Sequence, residues 1–138
     1  MGPDVRAKAV DPKRIDGCRA LDPLQTSRTT ARDATRLLAT VWSNTAASPE
    51  ACGALRSVMT QQVTQRLAGA VLDGGTLAVK SGAVFRRVRN EIALITDPDG
   101  ETYAVAVLTR VYRPDASPVT INAAMVTGAT AALGELRS

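Results

Sequence analysis

Residues 97–100, Asp-Pro-Asp-Gly, constrain the fold more than any other stretch of this 138-residue chain. Proline presets φ for a turn, glycine accepts the φ > 0 that a tight reversal demands, and each aspartate can bond its own backbone, so the four residues specify a hairpin. Period-2 runs flank them, giving antiparallel strands at about 87–96 and about 102–112. Gly69, Gly74 and Gly75 mark the change from a 3.6-residue period to a 2-residue one, and a further strand follows at about 76–84. The last strand, TYAVAVLTRVY, is apolar on both parities, with Val105, Val107 and Val111 on one and Ala104, Ala106 and Leu108 on the other. A strand of that kind is expected to be covered on both faces.

Helices are expected on either side of this meander. Thr30 can cap a helix over about 30–44 with Asp33 three residues on, and Ala34, Leu37, Leu38, Val41 and Trp42 form its apolar stripe. Ser48-Pro49-Glu50 opens a second helix, about 48–67, through a cap, a first-turn proline and an acid at the positive end of the helix dipole. Cys52, Leu55, Val58, Met59 and Val63 are its expected buried face, and Trp42 and Met59 read as core. Ser117-Pro118 opens the last helix, about 118–136, with Ile121, Met125, Ala129, Ala132, Leu133 and Leu136 along one side. Residues 1–29 are a loop-rich lead-in, broken by Pro3, Pro12, Gly17 and Pro23. The fold class that results is α+β, an antiparallel β-meander of three strands packed with helices, within a single domain at 30–138.

Composition narrows the chemistry. Histidine is absent, and Cys18 and Cys52 stand far apart, which excludes a His-dependent triad and a zinc site of the usual kind. The two cysteines read as small buried hydrophobes, and neither a metal nor a cofactor is expected. Net charge is +4, but aromatics are only 3% and the basic residues are dispersed, so nucleic-acid binding is not expected. No apolar run is long enough for a membrane span, and MGPDVRAKAV lacks the apolar core of a signal peptide.

The chemically suggestive stretch is Thr76–Arg89, TLAVKSGAVFRRVR. A Lys-Ser-Gly triplet, Lys80-Ser81-Gly82, closes an apolar strand, and Arg86, Arg87 and Arg89 follow within a few residues. The residues alone leave two readings open. They can form an anion-binding wall, or a solvated charged edge that discourages strand-to-strand aggregation. Arg86 and Arg87 keep the second reading.

In order, these features resemble the C-terminal half of the class A β-lactamase-like serine hydrolases, the penicillin-recognising family. The resemblance runs from about Thr26 to the end: TSRTTARDATRLLATVW, the helix opened by SPEA, VKSGA on a strand, the NEIALITDPDG hairpin, AVAVLTR and a closing helix. It implies the C-terminal part of a β-lactamase-like fold and hydrolysis of an amide or β-lactam through an acyl-enzyme. It also implies roles. Lys80 would raise the positive potential and orient the substrate carboxylate, and Ser81 would bond that carboxylate. Gly82 would let ligand approach the backbone, the Ala83 N–H would supply one oxyanion-hole donor, and Arg89 would pair with the carboxylate from the neighbouring strand. The implied ligand is a carboxylated small molecule such as a β-lactam, and family members are typically secreted or periplasmic.

The departures matter as much. The family's nucleophile sits in S-x-x-K, where a lysine one helical turn away takes the serine proton. Ser27, Ser43, Ser48, Ser57, Ser81, Ser117 and Ser138 all lack a lysine three residues on, and neither S-D-N nor E-x-x-L-N occurs. This chain alone is therefore expected to be inactive, its partner being a missing N-terminal half or, through an exposed apolar edge strand and face, a further copy of itself. Val-Phe-Arg-Arg-Val between the first two strands offers no residue suited to φ > 0, and Val84 stands where a small residue is frequent in the family.

Overall fold

The computed structural model describes residues 18–22, 24, 25, 27–84, 88–113 and 115–138. Helix α1 is Ala31–Trp42 and α2 is Pro49–Thr60; strands β1 (Thr76–Val84), β2 (Val88–Thr96) and β3 (Thr102–Arg110) follow, then helix α3, Pro118–Leu136. Short 3-10 turns lie at Arg19–Leu21 and Arg66–Ala70. The three strands form an antiparallel sheet in the order β1-β2-β3.

Local chemistry accounts for the element starts. Thr30 Oγ1 accepts from Asp33 N–H at 3.0 Å, which caps the helix, and donates to Asp33 Oδ2 at 2.8 Å, a bond between side chains where a full capping box would bond the carboxylate to the cap's backbone N–H. Ser48 and Ser117 cap α2 and α3 by accepting from Ala51 N–H and Thr120 N–H, and each is followed by the proline expected at the first helical position. Asp97 N–H donates to Glu101 O at 2.8 Å, closing a three-residue loop in which Gly100 has φ 93°. That is the hairpin the Asp-Pro-Asp-Gly sequence specifies.

Strand parity divides the core in two. Odd-numbered side chains, including Val79, Ala93 and Ile95, pack with Leu67 and Ala70 of the 3-10 turn and with Met125, Ala129 and Leu133 of α3. Even-numbered ones, Ala78 and Leu94, meet Leu38 of α1 and Met59 of α2. Each fully buried Leu, Ile or Met contributes about 1.5–3 kcal/mol, so the α3 side carries most of the stabilisation. β3 has α1 against one face and α3 against the other, as its double-sided apolarity implied. It is nonetheless only half-buried along its length, because it is an edge strand.

Several expectations differ from what is found. The second helix stops at Thr60, and 66–70 is a separate 3-10 turn. Val63 continues the helical spacing but has nothing to pack on and is 96% exposed. Leu55 and Val58 are also exposed, leaving Cys52 and Met59 as the buried residues of α2. Trp42 is not core. It lies at the end of α1, exposed, with the Arg56 guanidinium 5.8 Å from its ring centroid. Leu37, Ala132 and Leu136 likewise face outward. Cys52 is buried, Cys18 is half-buried, and both are free thiols. The first seventeen residues, and the β1–β2 connection with Phe85, Arg86 and Arg87, lie outside the described residues. No helix among the described residues is long and apolar enough to cross a membrane.

Candidate functional site

The ladder has a phase that decides which backbone groups are available. In an antiparallel sheet, successive residues alternate between bonding one neighbour and facing away from it. The Asp97–Glu101 bond, with Thr96 paired to Thr102 and Thr109 N–H reaching Asn90 Oδ1 at 2.8 Å, directs the odd-numbered residues of β3 toward β2. Even-numbered residues of β2 then bond β1, which leaves Leu77, Val79, Ser81 and Ala83 of β1 with N–H and C=O directed at the open side of the sheet. The Ala83 amide thus lies on a strand edge that no other strand among the described residues pairs. Ser81 O, on the same edge, accepts from Lys80 Nζ at 2.6 Å.

The sequence-predicted residues fall on two faces. Ser81 and Ala83 share the α3 face with Arg89, and Ala83 and Arg89 are direct cross-strand partners. Lys80 and Gly82 belong to the opposite parity, with Lys80 exposed and its ammonium folded back to the edge at Ser81 O. Gly82 is open: a Cβ placed there meets nothing within 4 Å.

Arg89 is held from three sides. Its Nη1 donates to Asn122 Oδ1 at 3.1 Å, its backbone N–H donates to Thr109 Oγ1 at 3.2 Å, and its carbonyl accepts from the same hydroxyl. The Asn122 bond spends only one of the five guanidinium donors and brings no negative charge. Arg89 is therefore a positioned, half-buried cation with no ion pair among the described residues.

A carboxylate sits behind this face. Glu91 is the cross-strand partner of Ser81 and is fully buried. It accepts from Leu67 N–H at 2.8 Å and from Arg66 Nη1 at 3.2 Å, while Arg66 Nε is buried with no hydrogen-bond partner among the described residues. This pair fastens the 66–70 turn to β2. On the Lys80 face, beyond Gly82, a cavity of about 480 Å³ is lined by Val84, Val88, Asn90 and Leu108, with Arg28 and Arg110 at its margin. Among the described residues no cluster of His, Cys, Asp or Glu could hold a metal ion.

Sequence reading missed two contributors. Asn122 is a polar residue between Ile121 and Met125 on the inward side of α3, and that break in the stripe was its signal. Glu91 heads the apolar run 92–95 of β2, and an acid there marks a buried charge needing a partner.

Comparison with known proteins gives the family and the fold. Residues 5–131 match the model of the β-lactamase enzyme family. Solved structures share the fold. A class A β-lactamase from Mycobacterium abscessus superposes with a TM-score of 0.73 at 20% identity, over 83% of this chain and 44% of that one. The β-lactamase from Streptomyces albus G gives 0.68 at 24%, over 81% and 42%, and PBP-A gives 0.65 at 23%, over 83% and 43%. The chain thus spans less than half the length of these solved relatives. No curated protein sequence matches it. With the family match running along nearly the whole sequence and the fold shared on both sides of the sheet, the chain belongs to the β-lactamase enzyme family.

Proposed function

We propose that this chain supplies the substrate-binding wall of a β-lactamase-type serine hydrolase, corresponding to the C-terminal portion of such an enzyme, and that the nucleophile comes from polypeptide outside these 138 residues. The observation that carries the reading is the Arg89–Ala83 pair. A positioned cation without an acid partner among the described residues stands directly across from a strand residue whose N–H faces an edge that no described strand pairs. An anion bound at the β1 edge on the α3 face would meet the Ser81 hydroxyl and Arg89, with the Lys80 ammonium reaching over the edge from the opposite face. Charge-assisted bonds of this kind are worth about 1.5–3 kcal/mol each.

Acyl transfer divides into roles that this wall can and cannot fill. Attack by a serine oxygen turns the substrate carbonyl oxygen into an oxyanion, which the Ala83 N–H would stabilise as one of two donors. Gly82 keeps the strand bare, so that a ligand amide can lie against the backbone. Lys80 raises the potential where the carboxylate binds. The proton transfer from the nucleophile has no candidate here, because no serine of the sequence has its lysine three residues on.

That same absence favours a second reading, a non-catalytic module that binds a carboxylated ligand or a protein partner. Hydrolysis of a chromogenic β-lactam separates the two. The first reading expects none from this chain alone and recovery on mixing with a segment bearing S-x-x-K and a general-base glutamate. Turnover by the chain alone would overturn both.

A further inference from the structure

β2 carries two opposite charges on one face, and they do not meet. Arg89 and Glu91 stand two residues apart on the α3 face, and strand geometry sets their Cα atoms about 7 Å from each other, within the combined reach of two long side chains. Among the described residues no hydrogen bond or ion pair joins them. Each is turned to a different element. Arg89 Nη1 donates to Asn122 Oδ1 of α3, whereas both oxygens of Glu91 are taken by the 66–70 turn, Oε1 by Leu67 N–H and Oε2 by Arg66 Nη1. Glu91 is fully buried and the Arg66 side chain nearly so, and charges withdrawn from solvent are screened little.

We propose that Arg66 is a positioning residue: by neutralising Glu91 it keeps the Arg89 guanidinium open to the carboxylate of a ligand. The inference rests on the reading of β1 and Arg89 as a carboxylate-binding wall. A buried carboxylate needs a counter-charge, and with Arg66 gone the one basic residue left on its own strand is Arg89. Two effects then follow. Glu91 draws Arg89 off Asn122 into an internal ion pair, and its uncompensated charge stands opposite Ser81, its cross-strand partner, where the ligand anion binds. Both oppose binding. A unit charge about 7 Å away, at an effective dielectric of about 20, is enough to change affinity about tenfold or more. Removing Glu91 has the reverse sign, because Arg66 then adds positive potential behind the same wall. Stability falls in both cases, since each change leaves one buried charge without its partner. That difference in sign separates positioning from a merely structural role.

The test is NMR on the full chain, first free and then titrated with a penicillin-type β-lactam. In the free protein, Arg66→Met should move the side-chain amide signals of Asn122, as Arg89 leaves it for Glu91, and the double variant Arg66→Met with Glu91→Gln should return them to the parent positions. In the titration, Arg66→Met should weaken binding about tenfold, Glu91→Gln should leave it level or tighten it, and the double variant should bind like the parent. Arg66→Gln, which keeps a donor for Glu91 and removes the charge, carries the same predictions if the methionine variant fails to fold. Asn122 signals unmoved by the loss of Arg66 overturn the proposal. So does a folded Glu91→Gln variant that loses as much binding as Arg66→Met, which would make the pair a structural fastening only. A parent chain without β-lactam shifts overturns the wall itself, and the ligand-free Asn122 signals then decide the charge arrangement by themselves.

Discussion

Replacing Glu91 with glutamine keeps the size and shape of the side chain and removes the charge, and the consequence follows from its surroundings. Glu91 is fully buried, and the Arg66 side chain that it bonds is only 10% exposed. In the variant the Arg66 cation has no counter-charge among the described residues, and one of its buried nitrogens already lacks a hydrogen-bond partner. Breaking a buried pair from one side costs about 3–5 kcal/mol. Small exposure of Arg66 lets water recover part of that, so about 3 kcal/mol is expected, a large share of the 5–15 kcal/mol typical of a folded domain. Leu67 N–H can still donate to the glutamine oxygen, while the amide nitrogen turns a donor toward Arg66, so loss of the charge and loss of an acceptor act together. Urea unfolding followed by circular dichroism should show a lower midpoint with an unchanged slope. The double variant Arg66→Met with Glu91→Gln should recover much of the loss, because a buried ion pair replaced on both sides is often close to neutral. A cost below about 1 kcal/mol for Glu91→Gln, or no recovery in the double variant, would refute the reasoning.

Gly75, just before β1, and Gly82, within it, should respond in opposite ways. A Cβ at Gly75 would lie 2.9 Å from Thr96 O and 3.0 Å from Leu72 O, backbone atoms that cannot swing aside, so Gly75→Ala should cost about 1–3 kcal/mol in thermal or urea unfolding. Gly82→Ala meets nothing within 4 Å and should leave the melting temperature level or slightly higher, yet weaken binding of a carboxylated β-lactam if a ligand lies against that strand. Glu50 has a carboxyl held below its ordinary value by a backbone hydrogen bond and by Ser48 at the start of α2. A group whose folded pKa is depressed stabilises above its unfolded pKa and loses that contribution as pH falls through the folded value. Glu50→Gln should therefore be less stable than the parent at neutral pH, with the two converging in acid below the carboxylate range. A difference that persisted at pH 2 would contradict that origin.

Elements governed by short-range chemistry were legible in the sequence. The Asp97–Gly100 turn and the caps at Thr30, Ser48 and Ser117 are each written within four residues, and the structure has them where the residues put them. The Lys80-Ser81-Gly82 strand was legible for the same reason, as was the α+β class, which needs only the periods and their order. What depends on tertiary partners was not. Val63 keeps the helical spacing of α2, but a helix needs a surface to bury against, and none meets it. Trp42 has the composition of a core residue and instead carries Arg56 at a helix end. The Arg89–Asn122 and Arg66–Glu91 contacts join residues 33 and 25 positions apart, beyond the reach of any local pattern.

The central claim is that β1 and Arg89 form a carboxylate-binding wall, and its most direct measurement is the NMR titration of this chain with a penicillin-type β-lactam. Saturable shifts should centre on the amides of Ser81, Gly82 and Ala83. Lys80→Ala and Arg89→Ala, each confirmed folded by the rest of the spectrum, should each weaken binding about tenfold or more. Binding left unchanged by both substitutions, or shifts confined to residues away from β1, would contradict the account.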